Sequence, residues 1–153
     1  MNATLEPTAA IRSGDVEFVT FYVGNLLLGA EICHVEEINR HVDVTPVAFA
    51  PDWVLGVVNL RGEVVTVLDL RYVLGLGHTA TDANARNVIV NAGGERIGLL
   101  VDRIADVVNT SWSEIKTPPA NLTDVDRRFL QGVYDLDREL LVVLNIEEVL
   151  AGN

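Results

Sequence analysis

Gly56–Leu74 reads GVVNLRGEVVTVLDLRYVL, and Gly132–Leu150 reads GVYDLDRELLVVLNIEEVL. Set over each other without a gap, they match at 8 of 19 positions (Gly, Val, Leu, Glu, Val, Leu, Val, Leu). Five of the other 11 positions exchange one aliphatic for another, or Asp for Asn. A second pair of blocks, 29–38 and 98–107, keeps apolar residues three apart: Ile32/Val101, Val35/Ile104 and Ile38/Val107. Both pairs occur in the same order, the mark of a duplicated structural unit. The halves meet near 75–86, a run of Gly, His, Thr, Asp, Asn and Ala. We expect two subdomains, approximately 16–78 and 84–151, with strands free to exchange at the seam and a flexible N-terminus over 1–15. A unit of about 60–70 residues holds only a marginal core. The copies should therefore bury apolar surface against each other, leaving a cleft between them. Leu140–Leu144, five apolar residues in a row, fits a strand buried on both faces.

Composition places both units among β structures. The chain has 24 Val and 8 Ile against 19 Leu, and β-branched side chains favour pleated strands. Short apolar stretches recur between turn signals at Gly24-Asn25, Arg61-Gly62, Gly93-Gly94 and Asp135–Arg138, as hairpins require. Helical patterns are few and short: Glu31–Ile38, Leu70–Leu74 and Ile146–Leu150. The fold class is mostly β, with nine or ten short strands in one or two small barrels or a sandwich.

Charge limits the partners. The 11 Lys+Arg against 22 Asp+Glu leave −11, which argues against binding nucleic acid, where affinity comes from neutralising phosphates, and against adhesion to an anionic membrane. Residues 1–78 carry 4 cations and 10 anions, and 79–153 carry 7 and 12, so both halves are acidic. No apolar run approaches the ~20 residues of a membrane span, and residues 1–15 lack the pattern of a secretory signal. Cys33 is alone, so no disulfide framework exists. A cytoplasmic protein without membrane insertion is expected.

Catalytic patterns are missing. His34, His41 and His78 lack a ligand spacing such as HExxH. Cys33 and His34 are adjacent, and sequence neighbours project in different directions. Gly75-Leu76-Gly77 does not make a dinucleotide loop, and neither GxxxxGK[ST] nor GxSxG occurs. Asp124, Asp126, Asp135 and Asp137 lack the spacing and terminal Glu of a calcium loop and read as solvated turn carboxylates. We expect no enzyme, no cofactor and no metal.

Gly56-Val57-Val58-Asn59-Leu60-Arg61-Gly62, followed by Val67-Leu68-Asp69-Leu70-Arg71, resembles the signature of the CheW family. The likeness continues through Phe18–Phe21, Gly29, Val35–Ile38, Pro51, Gly98–Asp102, Gly132 and Asn145–Glu147, over roughly residues 16–151. The resemblance implies two packed SH3-like five-stranded barrels forming a single CheW-like domain. It implies a non-enzymatic adaptor coupling chemoreceptors to the histidine kinase CheA in two-component chemotaxis signalling. The chain ends at Asn153, without length for a kinase or receiver domain, so the free-standing adaptor is the better match. The partners implied are the chemoreceptor cytoplasmic tip, the CheA regulatory domain and other CheW-like domains in array rings, at receptor arrays on the membrane. A scaffold of a pilus-type or other chemosensory pathway is the alternative within the family. A small-ligand-binding barrel or enzyme is the alternative outside it.

The resemblance also implies a receptor-binding set. By spacing alone, Val19, Ile32, Val35, Ile38 and Ile104 read as core, since apolar residues at such intervals face inward. The family likeness turns Val35 toward a groove between barrels and leaves the other four open between groove and core. Arg61, at a hairpin tip, has Asp137 as its repeat counterpart, so the shared scaffold does not require a cation there, and the family associates this Arg with receptor coupling. Glu37, paired with Asp106, joins the set. Asp69 and Asn145 read as caps of the short helices that follow.

Overall fold

In the computed structural model, residues 14–40, 44–78 and 82–151 are described. Most of the expected N-terminal tail, and His41, lie outside them. Ten strands run β1 (Asp15–Val23), β2 (Leu26–Glu31), β3 (Val35–Arg40), β4 (Val54–Leu60), β5 (Glu63–Asp69), β6 (Arg86–Ala92), β7 (Glu95–Val101), β8 (Arg103–Ser111), β9 (Leu130–Asp135) and β10 (Leu140–Leu144). Two short helices follow β5 and β10: α1 (Leu70–Val73) and α2 (Ile146–Ala151). The Asp69 carboxylate accepts from the Tyr72 N–H at 3.4 Å, and the Asn145 side chain accepts from the Glu148 N–H at 3.2 Å, so both cap as their positions suggested.

The strands form two five-stranded sheets, ordered β8-β1-β2-β10-β9 and β3-β6-β7-β5-β4. Each sheet draws strands from both halves of the chain, so a boundary at 78/84 separates the sequence copies but not the sheets. Replacing every strand of the first sheet by its repeat counterpart gives the order of the second. The registers agree as well. Val143 lies opposite Gly29 where Val67 lies opposite Gly98, and both pairs are parallel. Leu130 and Leu144 pair beyond a bulge where Val54 and Leu68 do. The duplication read from sequence is thus a duplication of pairing, residue by residue.

A bulge also explains the three-residue apolar spacing. In β3, Val35 faces Val90 and Glu37 faces Ile89, so β3 carries one extra residue. The same happens in β8, where Ile104 faces Phe21 and Val107 faces Val19. An odd separation would put Val35 and Ile38 on opposite faces of a regular strand, and the inserted residue returns them to one face. The expected helix over Glu31–Ile38 is therefore corrected to one 3-10 turn, Ile32–His34, and a bulged strand. Period three here records a bulge.

Each sheet is closed by its own chain. After edge strand β3, Thr45 bridges Val57 in β4 at the opposite edge, and after β8, Lys116 bridges Val133 in β9. Gly56 and Gly132 make these closures possible, since a Cβ on Gly56 would strike the Thr45 carbonyl and one on Gly132 the Ile115 side chain. The core then divides in three. Phe18, Leu27, Leu141 and Val143 fill one sheet's interior, and Val58, Val65, Val67 and Leu100 fill the other's. A larger central cluster, with Val19, Phe21, Leu68, Val88, Val90, Val142 and Leu144, joins the sheets. Leu140–Leu144 is buried on both faces as expected, with Leu141 and Val143 inward and Val142 and Leu144 toward the seam. Among the described residues no helix is long and apolar enough to cross a membrane.

Candidate functional site

The seam between the sheets places the seven residues of the expected set unequally. Residues opposite each other in an antiparallel pair project to one face. Ile38 faces Val88, a member of the central cluster, yet remains 39 % exposed. Val35 and Ile104 are partly buried and pack against the same cluster. Ile32, in the turn that carries the chain from one sheet to the other, is 40 % exposed. Val19 is only 5 % exposed. Of the two possibilities the family likeness left open, it takes the core one, as its spacing alone suggested, with Ala30 and Val107 on either side in register.

Val107 was not in the expected set. It faces Val19 across the edge of its sheet and is 52 % exposed. The signal was present, since the repeat pairs Val107 with Ile38. A second feature passed unread is the loop Pro46–Pro51, whose six residues are all apolar. There Phe49 is fully exposed at φ 63°, a left-handed conformation that bulky residues rarely take.

Arg61 and Glu37, 24 residues apart, meet. The β4–β5 turn holds Arg61 at φ 53° and Gly62 at φ 85°, the paired left-handed conformation of a tight hairpin, and the Asn59 side chain accepts from the Gly62 N–H at 2.9 Å. The Arg61 side chain is 70 % exposed and donates to Glu37, which also accepts from the Asn39 amide at 2.8 Å. The Arg61 hydrogen bond, reinforced by Asn39, holds the Glu37 carboxyl below the usual carboxylate range. Alongside, Arg96 donates to Glu36 at 2.8 Å and also pairs with Glu63, while Asn91 donates to Glu36 at 2.7 Å. Asn91 is the main cause, with Arg96, of the lowered Glu36 pKa. At the repeat positions of Arg61 and Glu37 stand Asp137 and Asp106, so the carboxylate is kept in both copies and the cation exists in one only.

Cys33 and His34 do not project apart as adjacency suggested. The tight turn gathers them with Glu31, and the three ligand atoms lie within 4.8 Å of one another. His78, by contrast, meets the buried Asp69 carboxylate at 3.1 Å and stacks on Tyr72.

The model of the family described as CheW-like domain matches residues 17–152. The chain belongs to the CheW family. It is 32% identical over 150 residues to the chemotaxis protein CheW of Klebsiella aerogenes, covering 98% of this chain and 90% of that protein. It is 30% identical to the chemotaxis protein CheW of Treponema pallidum, over 94% of this chain and 86% of the relative. Protein FrzA of Myxococcus xanthus is likewise 30% identical, over 93% and 89%. Among solved structures, the scaffolding protein TtCheW of Thermoanaerobacter tengcongensis superposes with a TM-score of 0.81 at 26% identity, covering 94% and 93% of the two chains. The mostly β fold of two SH3-like units is thus a CheW fold, and the repeat is its internal symmetry.

Proposed function

We propose that this CheW-family adaptor takes the helical tip of a chemoreceptor along the seam between its sheets and meets the histidine kinase CheA through other faces. The observation that carries it is the row of apolar side chains held partly exposed on both bulged edge strands: Ile38 with Val35 on β3, Val107 with Ile104 on β8, and Ile32 in the crossing turn. An amphipathic helix binds by setting apolar residues into such positions. Arg61 is paired with Glu37, the residue before Ile38 on β3, and its side chain is 70 % exposed. A guanidinium can exchange one carboxylate for another, or for backbone carbonyls, in a way that a Lys cannot reproduce.

The role so described is a non-enzymatic bridge recruited to receptor arrays, in which kinase and other CheW-like domains use barrel faces away from the seam. A receptor-tip fragment and the CheA regulatory domain, each titrated against the full chain, test it. Binding of both at once, with loss of the receptor fragment alone in Ile38→Asp, is expected. Competition between the two partners for one site would overturn it.

A further inference from the structure

The turn that carries Ile32 holds chemistry that receptor docking leaves unused. Glu31, Cys33 and His34 bring a carboxylate oxygen, a thiol sulfur and an imidazole nitrogen within 4.8 Å of one another. We propose that this triad binds a soft divalent cation of the zinc type. The donor set selects the metal, because thiolate with imidazole suits zinc or cobalt and disfavours magnesium and calcium.

The geometry is close to what coordination needs. Metal–sulfur and metal–oxygen bonds of about 2.3 and 2.0 Å at a tetrahedral angle put sulfur and oxygen about 3.5 Å apart. Cys33 Sγ stands 3.2 Å from Glu31 Oε2. The imidazole Nδ1 lies 3.3 Å from the Asn91 carbonyl oxygen. When Nδ1 donates its proton there, Nε2 keeps its lone pair for the metal, the arrangement common to metal-binding histidines. Cys33 is exposed while Glu31 and His34 are half-buried, so the cation can enter and a water can take the fourth position. Asp15 and Glu17 line the same cavity of about 690 Å³ as Glu31 and Cys33 and add negative potential at its mouth. On binding, the thiol gives its proton to solvent as the sulfur–metal bond forms.

Ile32 lies between two of the ligands, so an occupied site would fix one end of the proposed docking seam. That consequence rests on the docking proposal, whereas the metal test needs only the chain itself, so the two can fail separately. Untagged full-length protein is titrated with Co2+ and then with Zn2+. One Co2+ per chain, with a thiolate-to-cobalt charge-transfer band and the d–d bands of a four-coordinate ion, is expected. Zn2+ should displace it, and excess Mg2+ should not. Cys33→Ser should abolish the charge-transfer band. His34→Gln, folded by circular dichroism, should weaken Zn2+ binding beyond the roughly 10–100-fold that losing a residue hydrogen-bonded to a metal ligand costs. No charge-transfer band in the unaltered chain, or Zn2+ binding unchanged in both variants, would overturn the site.

Discussion

Ile38→Asp separates docking from folding at the seam. Complete burial of an Ile side chain contributes ~1.5–3 kcal/mol. With Ile38 39 % exposed, about 1–2 kcal/mol of that is at stake, and the new carboxylate can remain in water. A domain stable by ~5–15 kcal/mol survives such a loss. Val19→Asp makes the opposite case. At 5 % exposure within the central cluster, its carboxylate would be buried without a partner, at about 3–5 kcal/mol or more. Val35→Asp should fall between, and Val107→Asp, at 52 % exposure, should cost less than Ile38→Asp. Val64→Asp is the control, since Val64 is 67 % exposed on β5 and should change neither property. Urea unfolding gives the stabilities, and titration with a labelled receptor-tip fragment gives the binding. Ile38→Asp and Val107→Asp should lose the tip while staying folded at the assay temperature. If they bind it normally, or lose binding only in step with stability, the seam is not the docking surface.

Arg61→Gly should raise the unfolding midpoint by relieving a left-handed backbone, yet lose receptor-dependent kinase activation as fully as Arg61→Ala. Arg61→Lys should restore activation only in part, and full activation by Arg61→Ala would leave the side chain with its Glu37 pairing alone. Because the folded pKa of Glu37 is depressed, the stability it adds is present above the unfolded carboxylate value and declines as pH falls through the lower folded one. Side-chain NMR should place its midpoint below that of an ordinary Glu, and Arg61→Ala should move it upward. Gly56→Ala, meeting the Thr45 backbone at a positive φ, should cost about 2–3 kcal/mol or more and exceed Gly132→Ala, whose nearest obstacle is an Ile115 methyl, with backbone only at 3.0 Å. Phe49→Asn should stabilise the free chain by ~0.5–1 kcal/mol, because Phe49 is left-handed and fully exposed; a loss on urea unfolding would show that Phe49 supports the fold.

Much of the scaffold was legible because the duplicated residues face the same constraints twice. Gly56 and Gly132 both admit a crossing backbone, Asp69 and Asn145 both cap a helix, and Val67 and Val143 both fill an interior. The bulges were not legible. One inserted residue imitates helical spacing, and only the pairing of Val35 with Val90 and Glu37 with Ile89 distinguishes the two. Nor could one copy of the sequence tell which apolar residues the other copy would cover. Val19 and Ile38 are alike in type, but burial depends on the facing sheet. The Arg61–Glu37 pair was hidden for a similar reason: β3 and β4 lie at opposite edges of one sheet, and only its closure brings their ends together.

A perfect duplication would present each surface twice, and a bridge between unlike partners needs a difference. The structure concentrates that difference at the crossings between sheets. From β2 to β3 the chain opens into a 3-10 turn that leaves Ile32 40 % exposed. From β7 to β8 only Asp102 intervenes, its carboxylate bound by the Gly24 N–H and paired with Arg71, and Val101, the counterpart of Ile32, is wholly buried. The ionic edge follows the same division, Arg61 with Glu37 on one copy and Asp137 and Asp106 at the matching positions of the other. One crossing is thus apolar and open, and the other is closed. On the docking proposed above, a helical tip that needs both an apolar contact and the Arg61 guanidinium would find them in one copy only. The broken symmetry would then give the adaptor a direction that its duplicated core does not have.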